Sequence, residues 1–216
     1  MATTAGQSAQ VRAHTDGGRE LKQERAVQTR ERILDAAAES FARDGYAGVT
    51  LLDIAERAGM TKGAVYFHFK NKESLAVAIA DSFYRRLAAT RDAVAGLGRP
   101  PLESVILFLE QTALAFHREK PIQAGARLQL EHSLVGAPLP LPFVTFAGIV
   151  ESWLEQAVAA GQPLPRHATP PELTRVLAGA FFGAQHISWL QSGRADIVGR
   201  VDEIIRVMLH SEPPRA

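Results

Sequence analysis

Four short or basic residues in a row, Thr61, Lys62, Gly63 and Ala64, followed by Tyr66, His68 and Lys72, form the most distinctive chemical group in this chain. A single long cation among residues too small to obstruct it can reach the O6/N7 edge of a guanine, while glycine and alanine let backbone approach phosphate closely. The phenol and imidazole add donors for phosphate oxygens. Lys72 stands at an expected helix start, where a cation and exposed N–H groups can meet one phosphate together. Local charge points the same way. From Arg57 to Lys72 there are four basic residues (Arg57, Lys62, Lys70, Lys72) and no acidic one, in a chain whose 24 Lys and Arg against 23 Asp and Glu leave a net charge of only +1. The group suits a polyanion; the plain alternative is a helical hairpin with a solvated basic face.

No comparable group supports catalysis. The 216 residues include no cysteine, which excludes a disulfide framework, a thiolate nucleophile, Cys-ligated zinc and iron–sulfur clusters. The seven histidines, at 14, 68, 117, 132, 167, 186 and 210, form no H-E-x-x-H, no G-x-S-x-G elbow occurs, and GMTKGAVY lacks P-loop spacing. Glu131 beside His132 reads as a solvated helix face. No enzyme activity, metal or cofactor is expected. Residues 1–25 hold no apolar signal-peptide core, and no apolar run approaches the roughly 18 to 20 residues that span a bilayer, so a cytoplasmic protein without a membrane partner is expected.

These side chains need elements to hold them. Residues 1–25 are small and polar without apolar period and read as a disordered tail; Arg12, Arg19, Lys22 and Arg25 in it allow a minor-groove arm, against the plainer reading of a solvated tail. From Gln28, apolar residues at spacings of three and four (Ile33, Leu34, Ala37, Ala38, Phe41) predict a first helix that Gly45 stops. Thr50 caps Leu51–Ala58, Gly59 ends it, and a second short helix spans roughly Lys62–Phe67. Asn71 caps a long amphipathic helix to about Val94. GLGRPP, residues 96–101, is the clearest hinge, and helical stretches follow near 102–118, 122–135, 143–160, 172–191 and 195–210. Thr169-Pro170-Pro171-Glu172 is a strong helix start. The chain is read as all-α with about nine helices. Its two short helices joined at a glycine, after one packing helix, predict a helix-turn-helix in which Ala55 lets the helices touch and Ile54 and Val65 fill the space between them.

The stretch TRERILDAAAESFARDGYAGVTLLDIAERAGMTKGAVYFHFKNKESL, residues 29–75, resembles the DNA-binding domain of TetR-type transcriptional repressors: DGY, T-x-x-x-I-A-x-x-A-G, G-A-V-Y-x-H-F and K-E-x-L occur in order. The resemblance implies that Thr50, Thr61, Lys62, Gly63, Tyr66, His68 and Lys72 occupy DNA-contacting positions, and that the remaining helices form a dimerising, effector-binding bundle. The implied division is a tail (1–25), a helix-turn-helix domain (26–72), a connecting helix and hinge (73–100) and an effector and dimerisation domain (101–216). TKGAVYFHFKNKESLA, QAGARLQLEHSLVGAPLPLPF and AFFGAQHISWLQSGRADI are further similar to receptors for γ-butyrolactone, furan and butenolide autoregulators of antibiotic-producing actinomycetes. Such receptors often carry a tryptophan after the PF pair where this chain has Phe146.

An effector site in a helical bundle is apolar with a few orienting polar groups. Tyr84, Phe143, Phe146, Trp153, Phe182 and Trp189 are candidate walls, with Gln129 and His186 as donors; each aromatic taken singly also suits core packing. Gly179 and Gly183 allow close helix approach and, with Val201, Ile204, Ile205 and Met208, suggest a four-helix dimer interface. The expected function is therefore a homodimeric repressor that leaves double-stranded operator DNA when a small γ-butyrolactone-like inducer binds. A TetR-like sensor of another apolar molecule, a structural DNA-binding protein with a solid bundle, and a lactone hydrolase are the alternatives.

Overall fold

The computed structural model describes the backbone of residues 5–141 and 143–209, with side chains from Lys22 onward apart from Arg166. Among the described residues there are nine α-helices, two short 3-10 turns and no strand. The helices are α1 (Ala5–Asp44), α2 (Leu51–Ala58), α3 (Lys62–His68), α4 (Lys72–Ala95), α5 (Pro101–Arg118), α6 (Lys120–Leu130), α7 (Val144–Ala159), α8 (Pro170–Ser192) and α9 (Ile197–Met208).

Local chemistry explains the boundaries. Gly45, with φ 78°, turns the chain after α1. The Thr50 hydroxyl accepts from the Asp53 amide at 3.2 Å while the Asp53 carboxylate accepts from the Thr50 amide at 2.7 Å, a reciprocal cap for α2. Asn71 caps α4 by accepting from the Ser74 amide at 2.9 Å, and Glu172 accepts from the Thr169 amide at 2.9 Å at the start of α8. Gly193, at φ 59°, ends α8.

Two boundaries differ from the sequence expectation. Helix α1 begins at Ala5, so the segment read as a disordered tail is largely helical; it holds no proline, and its Leu21–Ala26 stretch is built from strong helix formers. Residues 1–4, and His210 at the expected end of the last helix, lie outside the described residues. Helix α6 stops at Leu130 instead of Val135, because the chain tightens into a 3-10 turn over His132–Leu134, with the Leu134 amide on the Glu131 carbonyl at 2.8 Å.

The buried side chains form two clusters. One joins α1, α2, α3 and the first turns of α4 around Ile33, Phe41, Ile54, Val65 and Leu75. The other fills the space among the end of α4 and α5, α7, α8 and α9 around Phe108, Phe116, Phe146, Leu154 and Phe181. Helix α6 belongs to both: Ala124 and Leu128 pack into the first cluster and Ile122 and Ala126 into the second. It also lies unusually close to α4. A Cβ on Gly125 would collide with Phe83 Cβ and stand 2.8 Å from its Cγ, on a side chain that is 1% exposed and has no room to retreat. Gly125→Ala is accordingly expected to lower unfolding stability by about 1–3 kcal/mol, the range for overpacking a filled core. Urea denaturation checks this, and an unchanged midpoint would show that the two helices separate freely.

Candidate nucleic-acid interface and effector core

Helix α3 is held by one buried residue and shows the rest. Val65 is fully buried between α2 and α3, together with Ile54 and Ala55, and the αL glycine at 59 (φ 64°, ψ 38°) sets the angle between the helices. Arg32 fastens the end of α2 to α1 by donating to the Ala58 carbonyl at 3.0 Å. With that one side anchored, Thr61, Lys62, Gly63 and Tyr66 are exposed and Ala64 and His68 half-buried. The Thr61 hydroxyl accepts from the Ala64 amide at 3.2 Å, capping the helix. A Cβ on Gly63 would meet nothing within 4 Å, so no internal packing demands a glycine; what its bare backbone permits is the close approach of something outside the chain. The Lys62 ammonium lies 5.6 Å from the Tyr66 ring centre, which keeps both side chains on one outward face.

Thr50 is exposed but spends its hydroxyl on the α2 cap. Lys72 differs most from expectation. Its ammonium donates to the Tyr46 carbonyl at 2.9 Å and lies 4.1 Å above the Tyr46 ring, so it is held to the loop after α1 and not extended into solvent. The sequence reading passed over Phe67, which is 83% exposed on α3 with its ring edge-on to His68. A phenylalanine left in water beside cations is a signal in itself, because among the described residues only the His68 ring meets it.

In the second cluster, the aromatic candidates do meet. Phe143 adopts a left-handed backbone (φ 67°) at the start of α7, and its ring lies 4.5 Å from Phe182, which stands 5.0 Å from Phe146. Phe108 connects Phe146 to Trp153 at 5.4 and 5.6 Å. Phe146 and Trp153 are 1% and 7% exposed, so both are core as much as wall, and Phe181, not among the candidates, is as buried and as central. The Gln129 side-chain carbonyl accepts from the Phe143 amide at 3.1 Å, and the Tyr84 hydroxyl reaches the Leu141 carbonyl at 3.4 Å. Gln129 Nε2, beside Phe143, and His186 Nδ1, beside Trp189, are buried and unbonded, as are side-chain atoms of Thr112, Gln162, Thr174 and Arg194. Buried polar atoms are nearly always satisfied, so the unpaired Gln129 amide beside the Phe143 ring is a candidate for a partner from outside the chain.

His186 and Trp189 lie towards the other cluster, their rings 5.6 Å apart. Trp189 has the Arg127 guanidinium 4.8 Å from its ring centre and that of Arg194 at 5.3 Å. Arg194 is 3% exposed and has no carboxylate partner; burial and the neighbouring Arg127 push its pKa down to about 10.

The residues suggested for pairing two copies divide by helix face. Val201 and Ile205 are 0% and 4% exposed and pack inside their own chain, where α9 lies on α5 and α8; these two are corrected to core positions. Their one-turn spacing turns the opposite face of α9 outward, and there Ile204 and Met208 line an apolar groove with Gly179, Gly183 and Ile187 of α8. A Cβ on either glycine would meet nothing within 4 Å, and Val176, Ile187 and Leu190 stand 44–66% exposed along α8. Glu131, read as solvated, is instead fastened to Arg127 and to the Tyr46 amide. Among the described residues no helix is long and apolar enough to cross a membrane.

Comparison with known proteins agrees with this geometry. Residues 33–79 match the model for bacterial regulatory proteins of the tetR family. The A-factor receptor protein of Streptomyces griseus is 35% identical over 190 residues, which are 88% of this chain and 66% of that protein, so the match spans just under two thirds of that relative. A solved structure described as the molecular basis for control of antibiotic production by bacterial hormones is 45% identical, covering 84% of this chain and 96% of its own, with a TM-score of 0.76. A γ-butyrolactone receptor structure, ArpA-like, is 31% identical over 85% of this chain and 99% of its own, TM-score 0.68. The TetR family protein CprB of Streptomyces coelicolor, solved with its biological operator sequence, is 32% identical over 85% and 87%, TM-score 0.76. With three likenesses of at least 31% identity that span 87% or more of each solved chain, this chain belongs to the tetR family of bacterial regulatory proteins.

Proposed function

We propose that the chain is a cytoplasmic homodimeric repressor that holds a near-palindromic operator and releases it when a γ-butyrolactone-like molecule, or a related furan or butenolide, enters the aromatic cluster of α4 to α8. Secondary metabolism is the process it would control. The observation that carries this reading is helix α6: Gln129, with its idle amide, lies one residue from Leu128, which is buried in the cluster that supports the reading helix. A molecule bonded to Gln129 therefore pushes on the same helix that packs on α1 and α4, the two helices that flank the reading pair.

The dimer follows from DNA geometry. Two reading helices address successive major grooves only when held about 34–36 Å apart. The outward face of α8 and α9 supplies the surface for that pairing. Moving the operator from nearly all bound to nearly all free requires the effector to prefer the released state by about 5.5 kcal/mol. Hydrogen bonds to Gln129 and His186 made in one state and not the other supply part of this, and burial of the lactone's apolar surface among the rings supplies the rest.

Three outcomes test the proposal. Lys62→Ala and Tyr66→Ala are expected to weaken operator binding by about 1–3 kcal/mol each, measured by fluorescence anisotropy at fixed salt, with the dimer intact; unchanged affinity for both removes α3 from the interface. Gln129→Leu is expected to weaken binding of a synthetic alkyl γ-butyrolactone about tenfold, the worth of one hydrogen bond to a neutral group, as followed by tryptophan fluorescence. Equal binding by the variant places the effector elsewhere, and turnover of the lactone would make the protein an enzyme. Gly183→Glu, at a position where an added Cβ meets nothing within 4 Å inside one chain, is expected to yield folded monomers in sedimentation and to lose operator binding; a stable dimer would move the interface off α8.

A further inference from the structure

The end of α6 is tied to the start of α4 through a loop that belongs to neither. Glu131, the residue that ends α6, accepts with one carboxylate oxygen from Arg127 Nε at 2.9 Å and with the other from the Tyr46 amide at 2.6 Å, 85 residues away in sequence. Arg127 in turn donates to the Arg43 carbonyl at 2.7 Å and the Ala42 carbonyl at 3.3 Å, closing the last turn of α1. Gly45 is required at this junction for two reasons. Its φ of 78° suits glycine, and a Cβ there would stand 2.5 Å from Arg127 Nη2 and 2.6 Å from Glu131 Oε1.

Tyr46 passes the constraint on. Its carbonyl accepts from the Lys72 ammonium, its ring lies beneath that ammonium, and its hydroxyl donates to Glu73 at 2.9 Å. Burial, with the Glu73 bond next, pushes the phenol pKa up to about 12, so it remains a donor. Lys72 and Glu73 open α4 directly after the reading helix, and Lys72 closes the acid-free basic segment that starts at Arg57. The Arg127–Glu131 pair is also the most enclosed ion pair among the described residues, with side chains 16% and 23% exposed, against 30–66% for the others. An exposed pair is worth little; this one is sheltered enough to hold a geometry.

We propose that Arg127 and Glu131 are positioning residues for DNA binding: acting through Tyr46, they set the place of the Lys72 ammonium so that its remaining N–H groups meet a backbone phosphate. The inference rests on the operator-binding reading above. It gives α6 a second grip on the reading domain besides its apolar contacts, and it explains why a lysine beside DNA is held instead of free. An ammonium has three donors; one fixes its position on Tyr46, and two are left for the phosphate.

The test uses the full chain and a duplex isolated from a random-sequence pool by the wild-type protein. Glu131→Ala, Lys72→Ala and the double variant form a cycle read as operator Kd and as the slope of log Kd against log salt concentration. Glu131→Ala alone is expected to weaken binding at least about fivefold and to lower the slope by about 0.9, as if one phosphate contact were lost, although a negative charge has been removed from the protein. In the double variant, losing Glu131 adds less than about twofold to the Lys72→Ala defect. Glu131→Gln, which keeps an acceptor for the Tyr46 amide, is expected to recover most of the affinity. Ile33→Val, which loosens the same domain away from this junction, is expected to leave the slope unchanged. Additive defects in the cycle, or an unchanged slope for Glu131→Ala, overturn the positioning role while leaving operator binding standing. A wild-type chain that selects no duplex overturns both.

Discussion

One helix in two cores is the constraint on which the rest of this molecule depends. Helix α6 cannot move relative to the effector cluster without also moving relative to the reading domain, because Ala124 and Leu128 are buried on one side and Ile122 and Ala126 on the other. Close-packed side chains transmit displacement because they cannot be compressed. The Gly125 contact with Phe83 removes the slack that would let α4 slide past α6. The two clusters are therefore mechanically continuous, through α4, whose 24 residues enter both, and through α6, a helix of only 11 residues.

Polar chemistry is placed on that frame economically. Where the chain reads outward, side chains are left in solvent and the backbone is bared at Gly63. Inside, Gln129 and His186 each keep a buried polar atom unpaired, as do Thr112, Gln162, Thr174 and Arg194. The same contrast separates the ion pairs. Arg86 with Glu119 and Arg200 with Asp196 are half in solvent and suit surface roles, whereas Arg127 with Glu131 is enclosed at the junction.

Much of this was legible in the sequence because it depends on local chemistry. Thr50, Gly59 and Asn71 announce their caps and turns by residue type, and the apolar spacing of α1, α4 and α5 leaves little choice of period. The reading helix was legible for the same reason, as was the pairing of Gln129 with an aromatic surround. What escaped depends on partners remote in the chain. Glu131 looks solvated until Tyr46 arrives from 85 residues away, and Val201 and Ile205 look like interface until α9 is laid on α5. The length of α1 escaped because polar helix formers carry no apolar stripe to betray them. Phe67 was overlooked because a lone aromatic on a short helix is ordinarily core, and only its neighbours' geometry shows that Val65 and Phe69 have already filled that role.

Phe67 also gives the reading surface two components that respond oppositely to the medium. Added electrolyte screens the attraction between lysines and phosphates, yet it strengthens the expulsion of a benzyl group from water. As electrolyte concentration rises, the cationic part of the surface is screened while the apolar part is not. A surface carrying both is buffered against that change in a way that a purely basic one is not.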